Sequence, residues 1–174
     1  KEADQLYVLQ RTPSYTIPLQ NRPVNAEQVA NIKTNYESLR QLQYDSFAGF
    51  TLVHSELAPL PSQSALEVSP EERRAEYENR WASGGLSPYY AYTDSLLDET
   101  SNETLAEFAR EKIRERVDDP DLAEKLCPDY QILTRRLSPE TNYLEVFNQA
   151  NVDLVDLNER PIERFTASGI IVRP

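Results

Sequence analysis

Apolar positions follow helical spacing in the middle of the chain and form short strand-like runs towards its two ends. Residues 5–10 are a compact apolar run with Val and Tyr, which predicts a strand buried on both faces, as in a parallel sheet. Three later runs predict strands at 152–155, 161–166 and 169–172. The predicted strands therefore flank a helical middle.

The first half of that middle contains two predicted helices separated by a long loop. Asn25 is a favoured cap, and the apolar spacing after it predicts an amphipathic helix over residues 25–44. Ser69-Pro70 with its following glutamates is a strong helix start, and Gly84-Gly85 marks the end of that helix. Residues 45–68 show neither period and predict a loop of a length that is usually functional.

Three more helices are predicted in the second half. Ser101 is expected to cap the first of them, and the triplet Asn102-Glu103-Thr104, which matches a glycosylation pattern, is interpreted as its first turn. Asp119-Pro120 predicts a short helix over residues 120–126, and Ser138-Pro139 predicts a fifth one that ends at Asn148. The stripe expected to be buried on the helix after Ser101 is Leu105, Ala109, Ile113 and Val117.

This layout predicts an α/β fold in which a helical insertion interrupts one domain. Residues 1–24 and 151–174 would supply its strands, and residues 25–150 the insertion. The chain opens on Lys1 and contains no Met. We therefore expect it to be an internal piece of a longer protein.

The composition restricts the partners and the compartment. The 174 residues carry a formal charge of -11, and such a surface repels phosphate backbones, so nucleic acid and anionic membranes are not expected as partners. No apolar run near the start is long enough to span a bilayer. The single Cys excludes an internal disulfide and agrees with a reducing compartment, so we expect a cytoplasmic protein.

Two basic motifs are the candidates for chemistry. Arg11 and Thr12 follow the first predicted strand, at the carboxyl end where open α/β sheets bind ligands, and together they suit a phosphate such as that of a 2'-phosphorylated dinucleotide. Arg135 and Arg136 are adjacent in a predicted loop, so one can meet a phosphate and the other a developing anion. On spacing alone, ordinary exposed arginines explain both motifs as well.

The other candidates have a structural interpretation beside the functional one. The aromatic stretch at residues 81–92 either lines an apolar pocket or packs in the core. His54, the single histidine, is expected on the surface, which leaves no histidine-based metal site. Cys127 is expected to be a structural thiol. The acidic pairs Glu71-Glu72 and Asp118-Asp119 suit helix capping better than acid-base catalysis.

The order and spacing of eight landmarks resemble those of Baeyer-Villiger monooxygenases of the cyclohexanone and phenylacetone monooxygenase type, along nearly the whole chain. The landmarks are Gln10-Arg11-Thr12-Pro13, Asn21-Arg22-Pro23, Ser69 to Glu72, Trp81 with Gly84-Gly85, Asp119-Pro120, Arg135-Arg136, Tyr143 to Asn148 with Asn151-Val152, and Pro161-Ile162.

The resemblance implies an enzyme that uses FAD, NADPH and molecular oxygen to convert ketones to esters or lactones. It also implies that the flanking strands belong to a Rossmann-like NADP-binding domain. Arg11 and Thr12 would contact the 2'-phosphate of NADP, joined by Arg135 where the family usually has Lys. Arg136 would be the catalytic arginine, which stabilises negative charge during oxygen transfer. By looser resemblance, Phe50, Leu86 and Tyr89 would line the substrate pocket.

The resemblance also predicts what this segment lacks. Among only 4 Gly there is no GxGxxG or Walker pattern, so the FAD-binding motifs would lie outside it, and the segment alone is expected to be inactive. Two alternatives remain open at this point. One is another flavoprotein monooxygenase of N-hydroxylating type, and the other is a helical interaction module without catalysis.

Overall fold

The structure is a computed structural model that describes residues 3–21, 23, 25–45 and 61–174. Within them lie the α-helices α1 (Ala26–Thr34), α2 (Tyr36–Asp45), α3 (Pro70–Ser83), α4 (Glu99–Arg114) and α5 (Pro120–Leu126). The strands are β1 (Leu6–Gln10), β2 (Thr16–Pro18), β3 (Ser138–Glu140), β4 (Val152–Asp156), β5 (Ile162–Thr166) and β6 (Gly169–Val172). Two 3-10 turns cover Ser87–Tyr90 and Glu145–Asn148.

Side-chain caps start three of the predicted helices where they were expected. The Asn25 side chain accepts a hydrogen bond from the Glu27 amide at the start of α1. Ser69 and Glu72 form a reciprocal capping box at the start of α3. The Asp119 carboxylate accepts from the first amides of α5. In each case, the side chain supplies acceptors that the first turn of a helix lacks.

The helix predicted over residues 25–44 is two helices, so that prediction is wrong in one respect. Asn35 separates α1 from α2, with φ of -104° and ψ of 18°. Its side-chain amide donates to the carbonyl oxygen of Asn31 at 3.1 Å. Asparagine side chains compete in this way for backbone groups, which favours an interruption over a continuous helix.

The predicted cap of the next helix is also wrong. α4 begins at Glu99 and Asp98 is its N-cap, because the Asp98 side chain accepts a hydrogen bond from the Ser101 amide. Ser101 lies within the first turn and is fully buried. The predicted stripe is confirmed, since its members are all buried, but the last of them, Val117, lies beyond the end of the helix.

Residues 138–148 do not form the predicted fifth helix. Ser138–Glu140 are the strand β3, which pairs in parallel with β2. Asn142 then takes a positive φ of 61°, a left-handed conformation that a right-handed helix cannot include. Only Glu145–Asn148 form a short 3-10 turn. Tertiary pairing with β2 thus overrides a good helix-start sequence.

The strands form three two-stranded sheets. β1 pairs in parallel with β4, from Leu6 opposite Val152 to Gln10 opposite Asp156, which confirms a parallel strand at the start. Among the described residues it is not buried on both faces, because Tyr7 and Leu9 are exposed while Val8 packs against a core cluster. The last two predicted strands are confirmed as β5 and β6, and they pair with each other as an antiparallel hairpin.

Two clusters of buried residues make up the core. The first joins Tyr15 and Ile17 to the inner faces of α3 and α4. The second joins the end of α4 to α5, to the turn around Phe147 and to β4. Because α4 contributes to both clusters, it connects the region around β2 with the region around β1 and β4. In the parts of the chain that the structure describes, no helix has the length and apolar character needed to cross a membrane.

Candidate functional site

Arg11 and Thr12 lie directly after the carboxyl end of β1, as predicted. Backbone bonds from the neighbouring strand hold this position: the Leu157 amide donates to the carbonyl oxygen of Gln10 at 2.7 Å. The Asn158 side chain donates to the carbonyl oxygen of Arg11 at 2.6 Å. Both side chains, Arg11 and Thr12, are exposed. The fold therefore fixes the backbone of this motif and presents its side chains to solvent.

The second motif lies in a tight loop between α5 and β3, which we call the arginine loop (residues 133–137). Leu133 has a positive φ of 73°, a conformation that costs a leucine about 1–2 kcal/mol. The Thr134 hydroxyl donates to the carbonyl oxygen of Gln131 at 2.6 Å. Leu137 is buried and ends the loop in the core. Arg135 and Arg136 stand between these fixed points and are exposed.

The structure brings the two motifs to one end of the same small sheet. Because β2 and β3 are parallel, the segments that precede them enter the sheet from the same end. Arg11 and Thr12 precede β2, and the arginine loop precedes β3. The chain is also bonded just after each motif, because the Ser138 amide donates to the carbonyl oxygen of Tyr15.

The guanidinium groups at this end of the sheet differ from those on the helices. Arg110 and Arg114 on α4, and Arg116 just beyond its end, each form ion pairs with glutamates. Among the described residues, Arg11 and Arg136 form no ion pair, and Arg135 instead stacks on the Tyr130 ring at 4.4 Å from the ring centroid. In a chain of net charge -11, exposed guanidinium groups without a carboxylate partner and the Thr12 hydroxyl are the kind of donors that a phosphate dianion prefers.

Of the three residues predicted to line the substrate pocket, the structure describes Leu86 and Tyr89. Leu86 and Tyr89 both pack against the first core cluster, in and before the 3-10 turn at Ser87–Tyr90. The Tyr89 hydroxyl accepts a hydrogen bond from the Leu137 amide at 3.5 Å, so Tyr89 lies beside the residue that follows Arg136. Phe50 lies outside the described residues, as does His54.

The aromatic stretch at residues 81–92 is mainly core. Tyr77 and Trp81 of α3 meet Phe108 of α4, with ring centroids 5.3 and 5.7 Å apart. Tyr92 packs edge-on against Tyr77. Of the two interpretations given for this stretch, packing therefore explains Trp81 and Tyr92.

Sequence reasoning missed two residues that support the arginine loop. The Tyr130 ring lies under the Arg135 guanidinium. Apart from its position five residues before Arg135, no sequence pattern indicates this role for Tyr130. Asn102 is buried, and its side-chain amide donates to the carbonyl oxygens of Ser95 and Ile132 at 2.8 Å each. It therefore ties α4 to the segment that enters the loop, which also agrees with the interpretation of its triplet as helix rather than as a sugar acceptor.

The remaining candidates have structural roles. Burial raises the pKa of the Cys127 thiol, and its Sγ lies 3.8 Å from the carbonyl oxygen of Arg110, as expected of a structural thiol. Glu72 and Asp119 serve as helix caps. Within residues 3–21, 23, 25–45 and 61–174, no group of His, Cys, Asp and Glu side chains could hold a metal ion.

The chain is similar along nearly its whole length to flavin monooxygenases. It is 36% identical over 174 residues to cyclopentanone 1,2-monooxygenase of a Comamonas species, and 33% identical over 170 residues to a Baeyer-Villiger monooxygenase of Pseudooceanicola batsensis. A phenazine N-monooxygenase of Lysobacter antibioticus is 33% identical over 173 residues. These alignments cover 97–98% of this chain and 30–31% of each relative. No protein-family model matches the chain.

Solved structures agree with the curated relatives. An oxidised steroid monooxygenase bound to NADP superposes with a TM-score of 0.86 at 42% identity, over 98% of this chain and 32% of that one. OTEMO in complex with FAD and NADP superposes with a TM-score of 0.87 at 36% identity, over 98% and 31%. The chain therefore spans about a third of the length of the proteins it matches. The resemblance inferred from the landmarks is confirmed.

Proposed function

We propose that this chain, a member of the Baeyer-Villiger monooxygenase family, is part of an enzyme that converts ketones to esters or lactones with NADPH, FAD and molecular oxygen. The observation that carries the proposal is the parallel pairing of β2 with β3, because the two basic motifs precede these strands and therefore enter the sheet from the same end. Relatives that carry names of ketone monooxygenases match across this whole region. A helical module without catalysis explains neither this arrangement nor these relatives.

Arg11, Thr12 and Arg135 are proposed to bind the 2'-phosphate of NADP. The exposed side chains after β1 and the stacked guanidinium of Arg135 supply donors without a competing carboxylate among the described residues. A guanidinium can bind a phosphate through two parallel hydrogen bonds, which also gives geometric selectivity. These residues fit the phosphate of a dinucleotide, and two of the similar solved structures are complexes with NADP.

Arg136 is proposed as the catalytic arginine. It is exposed, its backbone is held by the buried Leu137 on one side, and that residue's amide is bonded to Tyr89. A fixed positive charge at the reacting centre stabilises a developing negative charge without any proton transfer. FAD, when bound, supplies the oxygen chemistry, and this chain orients and neutralises the reacting groups. Leu86, Tyr89 and Phe50 are proposed to line the substrate pocket.

The proposed domain arrangement follows from the same topology. The parallel pair β1–β4 would belong to a Rossmann-like NADP-binding domain, with residues 25–150 as a helical insertion. Supporting this, β1 and β4 pair although they are far apart in sequence, and the side chain of Gln5, just before β1, donates to the Asp153 carboxylate 148 residues later. The exposed apolar side chains of β1 offer a surface for further elements of that domain. The protein that carries the chain is proposed to be cytoplasmic.

The function can be tested with the complete protein that carries this chain. Arg136→Ala should abolish ester formation from cyclic ketones while NADPH still reduces the flavin, which stopped-flow absorbance and product analysis would measure together. Arg164→Ala, which changes an exposed arginine on β5, is the matched control and should retain both activities. Normal ester yield from Arg136→Ala would reject the assigned role. Oxidation of amines or aromatic nitrogens without ester formation from any ketone would favour the N-hydroxylating alternative.

A further inference from the structure

The Tyr130 ring is a platform for Arg135. The guanidinium carbon of Arg135 lies 4.4 Å from the ring centroid, well inside the range of an effective cation–π contact. A cation–π contact of this kind uses no particular N–H donor of the guanidinium. Among the described residues the Arg135 side chain also forms no hydrogen bond or ion pair, so the contact holds the group and leaves its donors available to a phosphate.

The platform is itself anchored in the core. Tyr130 packs against the first core cluster, and its ring meets the Tyr15 ring edge-on, with centroids 5.3 Å apart and an angle of 79°. Tyr15 is buried to 1% exposure. Its hydroxyl accepts a hydrogen bond from Arg110 at 2.8 Å and donates to the carbonyl oxygen of Pro128 at 3.2 Å. Movement of Tyr130 would disturb each of these contacts.

Tyr15 and Tyr130 also connect the two basic motifs. Tyr15 lies four residues after Arg11, and its carbonyl oxygen receives the bond from Ser138 at the end of the arginine loop. The stack Arg135, Tyr130 and Tyr15 therefore sets the position of one motif relative to the backbone of the other. A flexible lysine could not use such a platform in the same way, because its ammonium is a point charge without a flat face.

We propose that Tyr130 is a positioning residue that makes the protein selective for NADPH over NADH. It would hold the Arg135 guanidinium ready for the 2'-phosphate, so that less conformational freedom is lost on binding. This inference rests on the proposed function and adds to it a residue that touches no cofactor itself. Its effect must therefore pass through Arg135, which makes it separable by experiment.

The test compares cofactor affinity of the complete protein and its variants. Tyr130→Leu should raise the Kd of NADPH about twofold to fivefold, the size of an exposed cation–π contact, and leave the Kd of NADH unchanged. Tyr130→Phe keeps the ring face and should match the wild type. Tyr130→Met, whose unbranched side chain packs easily against Tyr15, serves as a second variant if the leucine does not fold.

A double variant isolates the pathway through Arg135. In an Arg135→Gln background, Tyr130→Leu or Tyr130→Met should cause no further loss of NADPH affinity, since the group being positioned is gone. An equal loss in both backgrounds, or an equal loss for NADH, would overturn the inference and assign Tyr130 a general packing role. A wild-type protein that binds NADH as tightly as NADPH would instead contradict the proposed phosphate site itself.

Discussion

Replacing Gly84 by alanine tests the close packing of the end of α3 against β2, the strand that follows Arg11. Gly84 ends α3 with φ of 74° and ψ of -174°, a region that is essentially restricted to glycine and costs other residues about 1–3 kcal/mol. A Cβ at this position would lie 2.4 Å from Cγ of Gln20 and 2.8 Å from the carbonyl oxygen of Pro18. Both separations are shorter than any ordinary contact, so something must shift.

The carbonyl oxygen of Pro18 cannot retreat without a cost. It accepts a hydrogen bond from the Gly85 amide at 2.9 Å and belongs to β2, which pairs with β3 just after the arginine loop. Forced overpacking typically costs about 1–3 kcal/mol. When the overpacking cost is added to the backbone strain, the Gly84→Ala substitution should lower the free energy of unfolding by about 2–6 kcal/mol.

Gly85→Ala is the matched control. Gly85 also has a positive φ, 58°, but no atom lies within 4 Å of a Cβ built there, so only the conformational cost of about 1–2 kcal/mol applies. Urea denaturation followed by circular dichroism would measure both variants. Gly84→Ala should be the less stable by about 1–3 kcal/mol and should also bind NADPH more weakly. Equal losses in the two variants would refute the assignment of the close contact to β2.

Two further predictions concern α4 and its neighbours. Arg116 donates hydrogen bonds to Glu145 and lowers the pKa of that carboxyl below 4.5, the value for a free glutamate. The ion pair therefore stabilises the fold fully above pH 4.5, and this contribution is lost as the pH falls through the lowered pKa. Arg116→Gln should therefore be less stable than the wild type at neutral pH, with a difference that narrows below about pH 4 in denaturation curves; a constant difference would contradict the pairing. Asp98→Ala removes the N-cap of α4 and should cost about 0.5–2 kcal/mol in the same assay, whereas Thr100→Ala, an exposed change in the same turn, should be nearly neutral.

Local signals predicted the elements that local interactions decide. The capping box at Ser69 and Glu72 satisfies the first turn of α3 from within four residues, and the apolar spacing from Leu105 to Ile113 defines the buried face of α4. Residues 138–148 show the opposite case. Ser138-Pro139 is a favourable helix start, but the backbone of β3 instead pairs with β2, which lies more than 100 residues earlier. No local pattern contains that information.

The candidate site also has a part that local sequence predicts and a part that depends on tertiary contacts. The positions of Arg11 and Arg136 after a strand and within a loop follow from local sequence. Their entry into one sheet from the same end depends on the parallel pairing of β2 with β3, and the supports of the arginine loop depend on contacts such as that of Asn102 with the carbonyl oxygen of Ile132. The role of Asn102 as a support of the arginine loop could not be recognised from sequence. An asparagine in the first turn of a helix has the same local sequence whether or not its side chain binds distant carbonyl oxygens.

The distribution of charge allows an acidic chain to provide the phosphate site that we propose. The net charge of -11 acts at long range and would repel a dinucleotide phosphate, but salt screens that term beyond roughly 10 Å. Most of the described helical arginines are neutralised by neighbouring glutamates, as in the pairs of Arg110 and Arg114, so they add little to the local field. Arg11 and Arg135 have no such partner among the described residues, and their charge is available at contact distance. The proposed selectivity for a phosphate would therefore depend on these short-range donors and on the ring that holds one of them, and it does not require a basic protein.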